Sequence, residues 1–365
     1  MSETIRERLG AARRVVVKIG SRSLLATESG RFEQLAAQVA RLREQGRAAI
    51  IVSSGAVAIG RRRLGLSARP TDIAHAQAVA AVGQSGLIRS YEEAFARHAL
   101  GVAQVLVTHA DLEHRERFLN ARRALGALLD LGVVPVINEN DTVAVDELRF
   151  GDNDQLAAMI ANVAAADVLV LLTDVQGVLD GQGARVSVIR SRAEVDAFVR
   201  PSADDVGRGG MASKLEAAQR AAHQGVAVVI GDAGDPELLA KVVRGDDVGT
   251  LFAPAHEPLP SRKHWIAYTL RPRGALVVDA GAVRALVERH SSLLPSGIVG
   301  VRGDFEPGDS VSIVSADGAE VARGLTRYGT RQAAQLAGAR SADIRRRIGQ
   351  HDGDVVVHRD DLVVF

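Results

Sequence analysis

The sequence predicts an α/β protein, an open and mostly parallel sheet covered by helices on both faces, followed by a small β-rich domain. Three observations predict it. Short β-branched runs alternate with longer Ala-rich stretches of helical period over the first two thirds of the chain. Short strands separated by Gly-Asp and Pro-Gly-Asp turns fill the last third. The length, 365 residues, exceeds that of one typical domain and allows two cores.

The apolar runs are VVVKIG (15–20), AAIIVSS (48–54), GVAQVLVT (101–108), GVVPVIN (132–138), DVLVLLT (167–173) and GVAVVIG (225–231). Such runs belong to parallel strands buried on both faces and joined by helical crossovers. Helices are expected over 31–45, closed by Gly46, and over 116–131, closed by Gly132, because glycine suits the left-handed position after a helix. At 253–260 the chain reads APAHEPLP, and its three prolines in eight residues cannot continue a helix or a central strand. The expected organisation is a first domain at 1–257, a linker at 258–272 and a β-rich domain at 273–365 with one or two helices.

Composition narrows the function. Lys and Arg total 45 against 44 for Asp and Glu, a formal charge of +1, so there is no global reason to expect nucleic acid as the main partner. Aromatic residues make up 3%, few platforms for stacked bases. Cysteine is absent, which removes disulfides, thiolate nucleophiles and Cys-ligated zinc, and suits a reducing compartment. The first apolar run, Val15 to Ile19, is too short for a signal-peptide core or a membrane span and is interrupted by Lys18. A cytoplasmic protein with no membrane partner is expected.

Chemistry-bearing residues gather after the strands. Lys18 stands near the end of the first run, with Gly20 and Ser21 next; glycine lets backbone N–H groups approach an anion and the lysine adds a charge, although a strand-end lysine reaching solvent reads the same way. No GxxxxGK[ST] motif occurs. The second run ends in Ser53, Ser54 and Gly55 before an Ala-rich helix, which offers donors to a carboxylate or phosphate or is an ordinary serine cap.

In INENDTVAVDELRFGDNDQLAAMIA, Asn138 to Asp141 follow a buried strand, and Gly151 to Asp154 precede a helix. Either cluster alone could be a turn. Two clusters of short amides and carboxylates flanking one excursion predict a binding site, since such groups are expensive when buried unpaired. Thr173 and Asp174 close another strand, where a Thr-Asp pair can meet a ribose, a base edge or a magnesium water, or simply form a turn. GRGGMASK (207–214) is a Gly-rich loop running into a helix, its glycines suited to positive φ. Lys214 sits in the first turn, against the helix dipole, which marks it as a candidate functional residue.

These elements in this order, VVVKIGS, VSSGA, INENDTVA, GDND, LLTD and GGMASK, closely resemble the amino-acid kinase family, in its branch acting on free glutamate. ERFLNAR (116–122), SRKHWI (261–266), SSLLPSGI (291–298) and VVHRDDL (356–362) extend the resemblance over nearly the whole chain. The resemblance implies the amino-acid kinase fold with a C-terminal PUA-like domain, ATP and Mg2+ as cofactors, and transfer of phosphate to the γ-carboxylate of L-glutamate in proline biosynthesis.

Position by position, it implies that Lys18 and Lys214 neutralise the transferring phosphoryl group and Asp154 orients them. Ser54, Gly55, Asp141 and Asn153 hold glutamate. Lys18, Gly20, Thr173, Asp174 and the stretch Arg208, Gly209, Gly210, Met211, Ala212, Ser213 and Lys214 bind ATP. No protein metal ligand is implied. Arg22 and Arg208 depart from the family, which usually carries a small residue and Thr there, and 180–187 is shorter than the usual excursion. The implied nucleophile is a carboxylate of ordinary pKa about 4.3, ionised without a base.

The resemblance further implies a homodimer or homotetramer, feedback inhibition by proline, and hand-off of a labile acyl phosphate to a glutamate semialdehyde dehydrogenase. Competing readings are a kinase of another carboxylate, such as N-acetylglutamate or aspartate, and an RNA-binding protein with a vestigial kinase domain. The basic cluster Arg345, Arg346 and Arg347 suits either RNA contact by the tail or a solvated helix face.

Overall fold

A computed structural model describes residues 2–25, 30–68, 70–144, 153–191, 194, 210–254, 263, 265–266, 270, 272–339, 343–349 and 354–365. The chain divides into two compact units, Met1–Glu257 and Pro258–Phe365.

In the first unit the order is α1 (Ser2–Leu9), β1 (Arg14–Ile19), α2 (Ser21–Leu24), α3 (Arg31–Glu44), β2 (Ala48–Ser53), α4 (Ala56–Arg63), α5 (Ile73–Ala96) and β3 (Val102–Val107). Then come α6 (His109–Glu113), α7 (Arg115–Asp130), β4 (Val134–Glu139), α8 (Asn153–Val163), β5 (Val168–Thr173), β6 (Val188–Ile189), α9 (Met211–His223), β7 (Ala227–Asp232), α10 (Leu238–Arg244) and β8 (Thr250–Phe252). All six predicted strands are present, each within two residues of its expected bounds. Gly46 and Gly132 take φ of 72° and 78°, the left-handed turns that end α3 and α7. The short strands β6 and β8 carry no signal long enough to read as strands in the sequence.

The eight strands lie in the order β3-β4-β2-β1-β5-β7-β8-β6. Every neighbouring pair is parallel except β7 and β8. Apolar residues on both sides of the central strands find cover. Val15, Val17 and Ile19 of β1 join a core with Leu35, Val39, Leu87 and Tyr91 of α3 and α5. Val16, on the opposite face of the same strand, is also fully buried, and α8 packs against β1, β2 and β5. The chain builds outward from β1 to β2 and β4, then returns past β1 to lay β5 on its other side. In open α/β sheets a reversal of this kind leaves a crevice at the carboxyl ends of the strands.

Helix α4 crosses α5 at backbone contact. A Cβ on Gly60 would lie 1.9 Å from the Val79 carbonyl oxygen, and one on Gly83 would lie 1.7 Å from that of Ala56. Only glycine permits this approach. The crossing ties the start of α4, and the Ser53–Gly55 turn before it, to α5.

The second unit contains β9 (Gly274–Val278), α11 (Ala280–Arg289), β10 (Ile298–Gly303), β11 (Ser310–Ser315), β12 (Glu320–Thr326), α12 (Thr330–Leu336), α13 (Ile344–Ile348) and β13 (Val357–Val364). Its sheet runs β10-β9-β11-β12-β13, antiparallel except between β9 and β11. The Asp279 carboxylate accepts from the Ala282 amide at 2.7 Å and starts α11. Gly308, φ 94°, makes the Pro-Gly-Asp turn between β10 and β11. Leu276, Ile313, Leu336 and Val357 are among its core.

Candidate active site

The carboxyl ends of β1, β2 and β4 converge on the first turn of α8. Consecutive residues there serve two different groups. Asn153 reaches toward β2 and β4, while Asp154 reaches toward β1 and α9.

Asp154 is fully buried between two lysines that are themselves nearly so, Lys18 at 4% and Lys214 at 7% exposure. Lys18 Nζ lies 2.5 Å from Asp154 Oδ1, Lys214 Nζ lies 3.1 Å from Oδ2, and Ser213 Oγ donates to Oδ2 at 3.2 Å. Lys18 therefore does not run out to solvent, and the charge of Lys214 against the α9 dipole is offset by a carboxylate within hydrogen-bond distance. Burial pushes the Asp154 carboxyl up, but the ammoniums of Lys18 and Lys214 outweigh it and hold the group below the usual carboxylate range. Among the described residues two ammoniums meet one carboxylate there, at a place where lysines can also meet phosphate oxygens.

Asn153, 5% exposed, donates through Nδ2 to Ser54 Oγ at 2.7 Å, to the Ser53 carbonyl at 3.1 Å and to Asn138 Oδ1 at 3.2 Å. The Ser54 hydroxyl is thus engaged across the crevice rather than capping α4, whose N-cap is Gly55 with no side-chain cap. Gly55 has φ 120°, a conformation that requires glycine. Behind this cluster, Gln84 Oε1 accepts from Asn138 Nδ2 at 2.8 Å, and the buried Tyr91 hydroxyl meets Ser53 Oγ at 2.9 Å. Asp141 follows β4 in a half-buried turn that starts where the Asn140 amide donates to the Val107 carbonyl.

Gly20, the N-cap of α2, has φ −81°, and a Cβ there would lie 3.8 Å from Lys18 Nζ. Thr173 is buried at the end of β5, its hydroxyl donating to Asp174 Oδ1 at 3.2 Å, and Asp174 is exposed. Met211, Ala212 and Ser213 form the first turn of α9 with Lys214, behind Gly210 as N-cap. Gly210 has φ −73° and ψ −175°, extended backbone open to any residue, so the expected need for positive φ does not hold there. Gly151, Asp152, Gly207, Arg208 and Gly209 lie outside the described residues. Arg22 is exposed on α2.

Gln84 and Tyr91 were not predicted. Both sit in an Ala-rich helix whose sequence gives no sign of which polar residues turn inward. Asn138 had a signal, its place in the polar cluster Asn138 to Asp141 at the end of an apolar run. Among the described residues no group of three His, Asp or Glu side chains could hold a metal ion, and no helix is long and apolar enough to cross a membrane.

A doubly wound sheet with a lysine pair beside a helix N-terminus, at the strand ends where the winding reverses, is suited to hold a phosphate-bearing ligand. The chain belongs to the amino acid kinase family, whose model matches residues 13–232; the PUA domain model matches residues 274–348. Similar proteins include the glutamate 5-kinase of Geobacter metallireducens, 48% identical over 98% of this chain and 99% of the relative, and that of Myxococcus xanthus, 49% identical over 99% of each. The glutamate 5-kinase of Pelobacter propionicus is 46% identical over 99% of this chain and its own full length.

Proposed function

We propose that this protein is a glutamate 5-kinase, which transfers the γ-phosphoryl group of ATP to the γ-carboxylate of L-glutamate in the first step of proline synthesis. The observation that carries the reading is the Asp154 bridge between Lys18 and Lys214, beside an amide-lined pocket edge at Ser54 and Asn153.

Two anions must meet in this reaction, so the protein's task is positioning and charge. Lys18 and Lys214 face the phosphoryl oxygens, and Asp154 keeps both ammoniums in place between turnovers. Ser54, Gly55, Asp141 and Asn153 hold glutamate so that its carboxylate points at the transferring group. No general base is required, because that carboxylate is already ionised at neutral pH. Gly20, Thr173, Asp174 and the segment Arg208 to Lys214 hold ATP, the segment mainly through backbone donors and the α9 N-terminus.

In this reading Mg2+ is carried on the phosphates of ATP, and Asp154 serves the two lysines. When bound, Mg2+ neutralises phosphate oxygens. The reading extends to a cytoplasmic homo-oligomer inhibited by proline, with residues 258–272 as the linker between its domains. The acyl phosphate product is labile, which favours hand-off to a glutamate semialdehyde dehydrogenase.

The test is ATP consumption with Mg2+ against glutamate, N-acetylglutamate, aspartate and uridylate, with hydroxylamine present to trap acyl phosphate. Hydroxamate from glutamate in preference to the other acceptors is expected. Preference for any other acceptor would remove the substrate assignment.

A further inference from the structure

Three amides stand in series behind the crevice, and one backbone atom sets their direction. Asn153 faces the Ser53 carbonyl at 3.1 Å, and a carbonyl oxygen only accepts, so the facing atom is the amide nitrogen. The same nitrogen faces Asn138 Oδ1, which turns Asn138 Nδ2 the other way, onto Gln84 Oε1 at 2.8 Å. If Asn138 turned over, its NH2 would oppose that of Asn153, and the Ser53 carbonyl bond would break if Asn153 then followed. The first turn would also set Asn138 Oδ1 against Gln84 Oε1, so Gln84 opposes it as long as its own amide stays in place. The remaining Asn153 atom, Oδ1, is buried and accepts no hydrogen bond from a described residue. A buried acceptor without a donor is expensive, so the site is complete only when a donor arrives.

We infer that Gln84 is a positioning residue for amino-acid specificity: through Asn138 it holds the Asn153 amide so that Oδ1 is presented as the acceptor for a substrate ammonium. The inference rests on the reading of Asn153 as a substrate-binding residue. It assigns Asn153 a direction and gives the ammonium-bearing substrate an advantage over a dicarboxylate of the same length that lacks the donor. Gln84 is half-buried on α5 and belongs to no strand or turn of the crevice, so its replacement does not disturb the backbone there. Tyr91, two turns further along the same helix, secures Ser53, and α5 therefore steadies both strand ends that Asn153 touches.

The experiment compares wild type with Gln84→Met and Gln84→Ser, which remove the acceptor, and with Gln84→Glu, which keeps one. Trapped acyl phosphate is measured with glutamate and with glutarate, the same dicarboxylate without the ammonium. Loss of one oriented hydrogen bond predicts a glutamate KM raised about tenfold in the first two variants, and a glutamate-over-glutarate preference reduced by about the same factor. The KM for ATP stays at the wild-type value. Gln84→Glu restores both properties. Wild-type preference in the Met and Ser variants, or equal loss in the Glu variant, overturns the inference.

A wild type that makes no acyl phosphate from glutamate sinks the proposed function instead. The inference is then read in the ligand-free protein, from the side-chain amide resonances of Asn138 and Asn153. Gln84→Met, which removes the acceptor for Asn138 Nδ2, shifts them; resonances that stay in place in Gln84→Met overturn it.

Discussion

Lys18 and Asp154 meet at 2.5 Å, the lysine from the end of β1 and the carboxylate from the first turn of α8, both withdrawn from solvent. Lys214 holds the other oxygen of the same carboxylate. This shared partner makes the lysines individually removable. Losing one leaves the carboxylate paired with the other, and so avoids the roughly 3–5 kcal/mol cost of stranding an unpaired buried charge.

Lys18→Ala and Lys214→Ala are each expected to keep the fold and lower turnover more than tenfold. Circular dichroism checks the first and steady-state kinetics the second. Near-normal turnover in either purified variant removes that lysine from the catalytic set.

The Asp154 carboxyl sits below its ordinary value when folded, so the sign of its pH effect follows. The unfolded carboxyl titrates near about pH 3.9. Above that, the ion pairs contribute in full; as pH falls from there through the lower folded value, the contribution is lost. Denaturant melts of wild type and Asp154→Asn should differ by a constant amount from about pH 5 to 7 and converge below about pH 4. A gap that widens on acidification contradicts the assignment.

Asp141 stands at the start of the turn after β4, the strand whose Asn138 meets Asn153. Asp141→Ala is expected to raise the glutamate KM at least about tenfold, the size of one charge-assisted hydrogen bond, with the ATP KM unchanged. Titration of both substrates decides it. An unaltered glutamate KM counts against Asp141 as a substrate ligand.

Gly83→Ala should destabilise the first unit, because its methyl carbon would fall 1.7 Å from the Ala56 carbonyl oxygen and 2.5 Å from the Gly60 nitrogen. Overpacking against backbone costs about 1–3 kcal/mol, equivalent to a melting temperature lower by several degrees. A thermal melt at the wild-type temperature would show that α4 and α5 separate without cost.

Much of this is legible in the sequence. The strands β1, β2, β4, β5 and β7 read as apolar runs because both faces are covered, whereas β3, at the sheet edge, reads as such a run although Gln104 and Leu106 are exposed; Gly46 and Gly132 mark helix ends because left-handed backbone favours glycine. Lys18 and Lys214 stand out as a charge at the end of an apolar strand and a charge against a helix dipole, and Asp154 as one of the polar cluster Gly151 to Asp154. Strands β6 and β8 were not legible, being two and three residues long and held by their neighbours rather than by their own pattern.

By itself the sequence determined the alternation of strand and helix, the change to a β-rich tail and the identity of the charged residues, since each is a property of local spacing. Only the tertiary structure decided that one carboxylate serves both lysines. That pairing depends on β1, α8 and α9 meeting where the winding of the sheet reverses, and no local pattern encodes it. The same holds for Gln84: its role comes from the face of α5 that brings it to Asn138 in β4, a meeting that no local pattern encodes.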